Sequence, residues 1–570
     1  MTTPPNPPAL SVKVLPALTA LASRVEEVRF PLETSDAAAA RELRQSLADQ
    51  LGDYLVPRVE NQDAPLLVVV GGSTGAGKST LVNSIVGSRV STPGVLRPTT
   101  RWPVLVHNPA DADHFTSDRI LPSLKRVVKE STDLGTPQVR LVASEAVPAG
   151  LALLDSPDID SVDEGNRKLA RQLLAAADLW LFVTTAARYA DAVPWELLHQ
   201  SSERGTTIAM VLDRVPPQAN REVRHHLSTL LTEAGLGAAP IFTVPELQLV
   251  DGLLPEAAVF PVQSWVLGLG RNTRARERVV ARTLTGALAA VPARARALAE
   301  NCRTQEDAAA ALADAVDSAF GAAHEELARS LVDGRVLRGE VLARWQDFVG
   351  TGQFFRGIEP SVARLRDRIT NAVTGKRDAA GPLEQAIGSS IALLVREQAI
   401  EALTETGTRW RSVPEGRALL EGTSAAPTLP PGFDEALSRT IREWSDSVND
   451  LVREVGQSKR AKARILSFGV NAVGAVLMLA AFAGTGGLTG VEAGIAGGTA
   501  AVSGKLLDTI FGDQVTRDLA ATARSGLLER VDAVLAGVRG PFDRALATHE
   551  VPPRFSGTLT AAADRLEGTL

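Results

Sequence analysis

A doubly wound α/β head on a mainly parallel sheet, followed by an extended α-helical bundle, is the fold class that this 570-residue chain predicts. Three observations predict it. The apolar run Leu66-Leu67-Val68-Val69-Val70 leads into a glycine-rich turn and then a helical pattern, TLVNSIVG, the order of a buried parallel strand feeding a helix. From Pro65 to about Gly270 further apolar runs alternate with helical patterns. Beyond about Asn272 strands give out, and Ala, Leu, Arg and Glu fill long 3.6-period stretches.

In chain order, the first ten residues, MTTPPNPPAL, are proline-rich with no secretory n-region or h-region. They set the expectation that 1–35 is a disordered or weakly helical tail. Leu43, Leu47, Leu51 and Leu55 then form one apolar helical stripe within 36–60, ending near Pro57 and needing a surface to dock on, with long helices further along as candidates. Within the head, 62–270, strands are expected at 102–107, 139–144, 151–155, 178–185, 207–213 and 241–244, and helices over 166–177 and 194–202. A helical bundle or stalk follows over 271–464, broken at 350–352, 375–381 and 424–432. Ile465 to Ala483 carries no charge over a length close to that of a bilayer span. With the glycine-rich segment after it, which contains Glu492 and Lys505, it makes 465–511 a hydrophobic helical hairpin, either membrane-associating or a buried pair inside the bundle. Lys459, Arg460, Lys462 and Arg464 just upstream suit anionic headgroups. Helices resume over 512–570.

Composition narrows the class. A formal net charge of −6 gives no reason to expect nucleic acid. The single cysteine, Cys302, excludes an internal disulfide and a cysteine-cluster metal site, predicts a small buried side chain, and fits a reducing cytoplasm.

The chemistry concentrates in GSTGAGKST, Gly72 to Thr80, which fits G-x-x-x-x-G-K-[ST]. Gly72, Ser73, Thr74, Gly75, Ala76 and Gly77 would wrap backbone N–H groups around phosphate oxygens. Lys78 would reach the β- and γ-phosphates, and Ser79, followed by Thr80, would place its hydroxyl on Mg²⁺. In SRVSTPGVLRPTTRWP, Thr100, or alternatively Thr99, suits a first switch, with Arg97, Pro98 and Pro103 shaping the loop. In LALLDSPDID, Asp155 ends a buried strand where it can hold Mg²⁺ through water. Ser156-Pro157 turns the chain, and Asp158 stands where a glycine would present its N–H to the γ-phosphate. Ser156 after the aspartate, in place of a glutamate, and the lack of an LSGGQ-like stretch argue against an ATP-cassette subunit. VLDRVPP falls where guanine would be read, with Asp213 and Arg214 as candidates and Pro216 at the usual aspartate position. Gln263-Ser264 is a weak candidate for the last base contact.

GSTGAGKST, RPTTRWP, DSPDID and VLDRVPP, followed by helices and a late hydrophobic stretch, resemble a bacterial dynamin-like GTPase of the actinobacterial type, in the P-loop TRAFAC superfamily. The motifs cover about 62–270. The resemblance implies a P-loop GTPase head using GTP or GDP with Mg²⁺, a helical neck and trunk, self-association through the head, room for a second dynamin-like protein as partner, and lipid binding on the cytoplasmic face of the cell membrane. It implies Lys78, Thr74, Thr100 and Asp155 as the catalytic set, with Ser79, Thr100 and Asp155 around the metal. Thr74, or a backbone group, would position water. The 36–56 helix would pair with helices near 272–300 and 513–538 as the neck. Two alternatives are a GTP-binding scaffold without turnover, motivated by Asp158 and Pro216, and a soluble Era-like GTPase acting on ribosomes or RNA. His225-His226 reads as solvated, while Arg188 and Tyr189 either face the nucleotide or a partner head, or shape a loop.

Overall fold

The computed structural model describes residues 7–92, 102–117, 119–128, 137–203, 206–337, 339–350, 380–423, 425–455, 469–482, 507–508 and 510–570. They fall into two units: one of Met1–Phe30, Asp36–Glu306 and Pro552–Leu570, the other of Pro31–Ser35 and Asp307–Val551.

The first unit is built on an eight-stranded sheet: β1 Leu66–Gly72, β2 Val104–His107, β3 Lys125–Val127, β4 Gln138–Ala143, β5 Leu151–Asp155, β6 Leu179–Thr185, β7 Thr207–Val215 and β8 Ile241–Pro245. Their order is β3-β4-β2-β5-β1-β6-β7-β8, and only β2 against β5 runs antiparallel. β1 is buried along its whole length, and its residues alternate between two cores. Leu66, Val68 and Val70 face the core shared with helices α4 (Lys78–Val86) and α9 (Glu256–Arg271). Leu67 and Val69 face the core shared with α6 (Glu164–Ala175), α7 (Ala192–Glu203) and α8 (Asn220–Glu233). A strand covered on both faces has no polar side, which is why the sequence reads as an unbroken apolar run. The predicted strands and both predicted helices form to within a few residues; the short polar edge strand β3 carries no apolar alternation and gave no signal.

The N-terminal expectation fails. Residues Pro7–Glu27 form helix α1, and Val14, Leu18, Leu21 and Val25 are fully buried along one side. Their spacing of four, three and four is a helical stripe. Pro16, the residue expected to break such a helix, lies on its exposed face. α2 (Ala37–Gln50) continues through a π-helical turn, Leu51–Leu55, into α3 (Val56–Glu60), so Pro57 does not end the helix. Proline lacks an N–H and crowds the preceding turn, and a π turn is a usual way to absorb that misfit. The short α5 (Ala112–Thr116) completes the head's helices.

α10, Thr273–Val332, gives its first half to this unit. Arg294 Nη2 donates to Ser46 Oγ at 3.0 Å and Asn301 Nδ2 to Asp36 Oδ2 at 2.9 Å, so the predicted pairing of 36–56 with 272–300 forms. The C-terminal contribution is corrected. It comes from the last helix, Phe555–Glu567, which packs on α1 and receives Arg296 on Asp564 at 2.7 Å, whereas Asp513–Thr548 belongs to the second unit. Cys302 is buried in this core, and burial pushes its thiol up to about 12.

The second unit is helical: the rest of α10, α11 (Glu340–Gly350), α12 (Gly381–Ser412), α13 (Pro414–Gly422), α14 (Phe433–Val455), α15 (Val470–Phe482) and α16 (Asp513–Thr548). Two buried indoles fix its core: Trp410 Nε1 donates to the Leu312 carbonyl at 3.1 Å and Trp444 Nε1 to the Ala523 carbonyl at 2.7 Å. α15 is the described part of the 465–511 hairpin. Val473 to Phe482 are all buried, packed against α14 and α16, with Phe482 ring to ring on Trp444 at 5.8 Å. For these residues the buried alternative holds. Residues 483–506, and the basic cluster Lys459, Arg460, Lys462 and Arg464, lie outside the described residues. Among the described residues no helix is long and apolar enough to cross a membrane.

Candidate functional site

Strand register assembles the site. β1 lies between β5 and β6, with Val70 opposite Asp155 and Gly72 opposite Val183, while Thr185 of β6 pairs with Asp213 of β7. The turn 73–77, Asp155 and Asp213 therefore emerge at the same, C-terminal edge of the sheet, from three of the four neighbouring strands β5-β1-β6-β7, where α/β folds bind ligands. β2 begins opposite Asp155, Val104 pairing with it. Thr99 and Thr100, the first-switch candidates, lie outside the described residues, as do Arg97 and Pro98.

Two glycines of the turn are required sterically. A Cβ at Gly72 would stand 2.0 Å from the Val183 carbonyl oxygen. Gly77 has φ +93°, and a Cβ there would stand 2.4 Å from Asp213 Oδ2, so the Asp213 carboxylate lies against the turn. α4 then starts at Lys78, giving the turn the positive end of a helix.

Lys78 is buried, and its ammonium donates to the Gly72 carbonyl at 2.9 Å, to the Ser73 carbonyl at 3.1 Å and, in a short contact, to Asp158 Oδ1. An ammonium has three N–H groups, and all three are engaged. Asp158, expected at the γ-phosphate position through its backbone N–H, reaches into the loop with its carboxylate. Asp160, which the sequence reading did not single out, does the same. Its Oδ1 accepts from the Thr74 backbone N–H at 2.6 Å and from Thr74 Oγ1 at 2.7 Å. Arg188 completes a clamp: Nη2 donates to Asp160 Oδ2 at 2.7 Å, Nη1 to the Thr74 carbonyl at 3.1 Å, and Nε to Asp191 Oδ2 at 2.8 Å. Partial burial pushes the Asp160 carboxyl up, but the Thr74 bonds and the Arg188 charge outweigh it and hold the group below its ordinary value. Arg188 thus lies against the 73–77 turn, tied to it through Thr74 and Asp160.

Asp155 is fully buried, and Ser91 Oγ donates to its Oδ2 at 2.6 Å. Burial raises its carboxyl above the ordinary value, opposed by hydrogen bonds from Ser79 and Ser91 and by the Lys78 charge. Among the described residues its Oδ1 is buried with no hydrogen-bond partner. An unsatisfied carboxylate oxygen beside serine hydroxyls is a hard-oxygen set that fits Mg²⁺. Ser91 was missed in the sequence. Asn83 holds it there, with Oδ1 accepting from the Val90 and Ser91 N–H groups and Nδ2 donating to the Ser91 carbonyl. The signal lay in two residues eight apart, too ordinary to read.

Near the end of β7, burial raises the Asp213 carboxyl, and Arg214 (φ +53°) leaves its guanidinium half-exposed, its Nε 3.8 Å from Asp213 Oδ2. Gln263 is not brought to the site: its amide donates to the Ile85 carbonyl at the far end of α4, about 10 Å along the helix from Lys78. His226 is exposed, as expected, and pairs with the Tyr189 hydroxyl at 2.7 Å.

Residues 68–215 match the sequence model of the dynamin family. No curated protein matches the chain. Two solved structures of an oligomerised bacterial dynamin pair, described as a mechanism for long-range sensing and tethering of membranes, align over nearly the whole length. One has 8% identity, 96% of this chain, 94% of the other and TM-score 0.40; the second has 9%, 95%, 96% and 0.40. Toc33 from Arabidopsis thaliana, solved with Mg²⁺ and GMPPNP, aligns at 16% identity over 44% of this chain and 98% of its own, with TM-score 0.25. Similarity this low carries no weight for what the present chain binds.

Proposed function

We infer, from a head that belongs to the dynamin-like P-loop GTPases, that the chain binds GTP with Mg²⁺, hydrolyses it slowly, and couples nucleotide state to self-association and to binding at a membrane surface. The observation that carries this reading is the convergence of Lys78, the 73–77 turn, Asp155 and Asp213 at one strand edge. In it Lys78 and the turn N–H groups hold the phosphates, and Ser79 and Asp155 hold Mg²⁺, with Thr100 as a further ligand. The metal neutralises charge on the phosphates when bound. Thr74 positions the attacking water, and Asp213 and Arg214 flank the base. Phosphate release tests it: wild type should turn over GTP above a Lys78→Ala control. Turnover equal to that control with intact GTP binding would favour the non-hydrolysing scaffold.

The membrane half rests on the basic cluster Lys459, Arg460, Lys462 and Arg464, because the described part of the uncharged stretch that follows it is covered by the bundle. It predicts peripheral attachment on the cytoplasmic face through the attraction of those cationic side chains to anionic headgroups. The intact chain should float with anionic vesicles at low salt and be released at high salt. Flotation with neither anionic nor neutral vesicles would remove this half.

A further inference from the structure

We propose that Asp158 and Asp160 are internal competitors for phosphate, which set the preference of the site between nucleoside triphosphate and diphosphate. The inference rests on the nucleotide reading above.

Donors that a triphosphate needs, the Lys78 ammonium and the Thr74 amide and hydroxyl, each already carry a carboxylate of one short segment. Asp158 Oδ1 closes the third N–H of the Lys78 ammonium, the other two being held by the Gly72 and Ser73 carbonyls. Asp160 Oδ1 takes the Thr74 amide and hydroxyl, and Arg188 ties the same carboxylate to the Thr74 carbonyl. The segment cannot drift away freely, because Ser156 is bonded through N–H and hydroxyl to the Val70 carbonyl and the Ile159 N–H reaches the Gly72 carbonyl. The Lys78–Asp158 contact is charge-assisted and buried, among the stronger hydrogen bonds a protein makes, and the Asp160 bonds are charge-assisted in a partly exposed setting.

A phosphate oxygen is the same kind of ligand as a carboxylate oxygen: anionic, acceptor-only and suited to the same donors. Lys78 spans the β- and γ-phosphates. A diphosphate needs only the β side of that ammonium, so one carboxylate can stay on it. A triphosphate brings a further anionic group to the same donors and must expel Asp158, with Asp160 released from the loop amide. The bound carboxylates therefore weigh against triphosphate more than against diphosphate.

The test is titration of the full chain with GMPPNP and with GDP, each with Mg²⁺, in wild type, Asp158→Asn and Asp160→Asn. Asparagine keeps the shape and removes the charge, and Asp158→Gly supplies a second route should the amide disturb the turn. The expected result is GMPPNP bound about 10-fold or more tightly by Asp158→Asn, with GDP affinity moving by less than about 3-fold, and a shift of the same sign in Asp160→Asn. A purely structural role would weaken both nucleotides together. If wild type binds nucleotide and the GMPPNP-to-GDP ratio is unmoved or reversed in the variants, the inference is overturned and the nucleotide reading stands. If neither wild type nor any variant binds either nucleotide, that reading fails and takes the inference with it.

Discussion

Asp155 shows how one residue can serve the site at the expense of the fold. A carboxylate with a fully buried, unsatisfied oxygen costs free energy until a cation reaches it. The sign follows from its raised value: the folded chain holds that proton more tightly than the unfolded chain. Its contribution to stability therefore falls as pH rises from the unfolded to the folded value, and above that the ionised group is a net cost. Asp155→Asn should melt at the same temperature as wild type or higher without nucleotide, yet gain nothing from GTP with Mg²⁺. Differential scanning fluorimetry with and without ligand checks both, and a wild-type ligand response in the variant would contradict the metal role. Asp160 has the opposite sign. Its lowered value means that the clamp on Thr74 contributes above the ordinary carboxylate range and is lost only as pH falls through the folded value.

At the scale of elements, what the sequence made legible was whatever repeats a period against a covered face. β1, β5, β6 and β7 announced themselves because a strand buried on both sides admits no polar residue. Gly72 and Gly77 announced themselves because close neighbours forbid a Cβ. α1 was hidden by its composition: the prolines drew attention away from Val14, Leu18, Leu21 and Val25. Leu18→Ala should lower unfolding stability by about 2–5 kcal/mol, as for other fully buried leucines, measured by denaturant titration. A loss within about 0.5 kcal/mol, the range of surface substitutions, would return 7–27 to the status of a tail. Asp160 and Ser91 were illegible for another reason. Aspartates in turns and serines after helices are common, and only the register of β1 against β5 with the hold of Asn83 gives them their places.

At the scale of the molecule, periodicity reveals an apolar face but not which other face will cover it. The unit carrying the site draws on three separated stretches of sequence, ending with Phe555–Glu567, whereas the boundaries read from composition were contiguous blocks. The uncharged stretch behaves likewise. Hydropathy could not separate a bilayer from a helical core, and the described part, Val470–Phe482, is covered by α14 and α16. All of this serves one arrangement, a turn of main-chain donors closed by an ammonium and positioned by eight strands. Isothermal titration of GTP, GDP and ATP with Mg²⁺ into the purified chain, beside Lys78→Ala, tests that arrangement most directly. Saturable binding of guanine nucleotide that is lost in Lys78→Ala is the predicted result; no heat of binding from any of the three would contradict it.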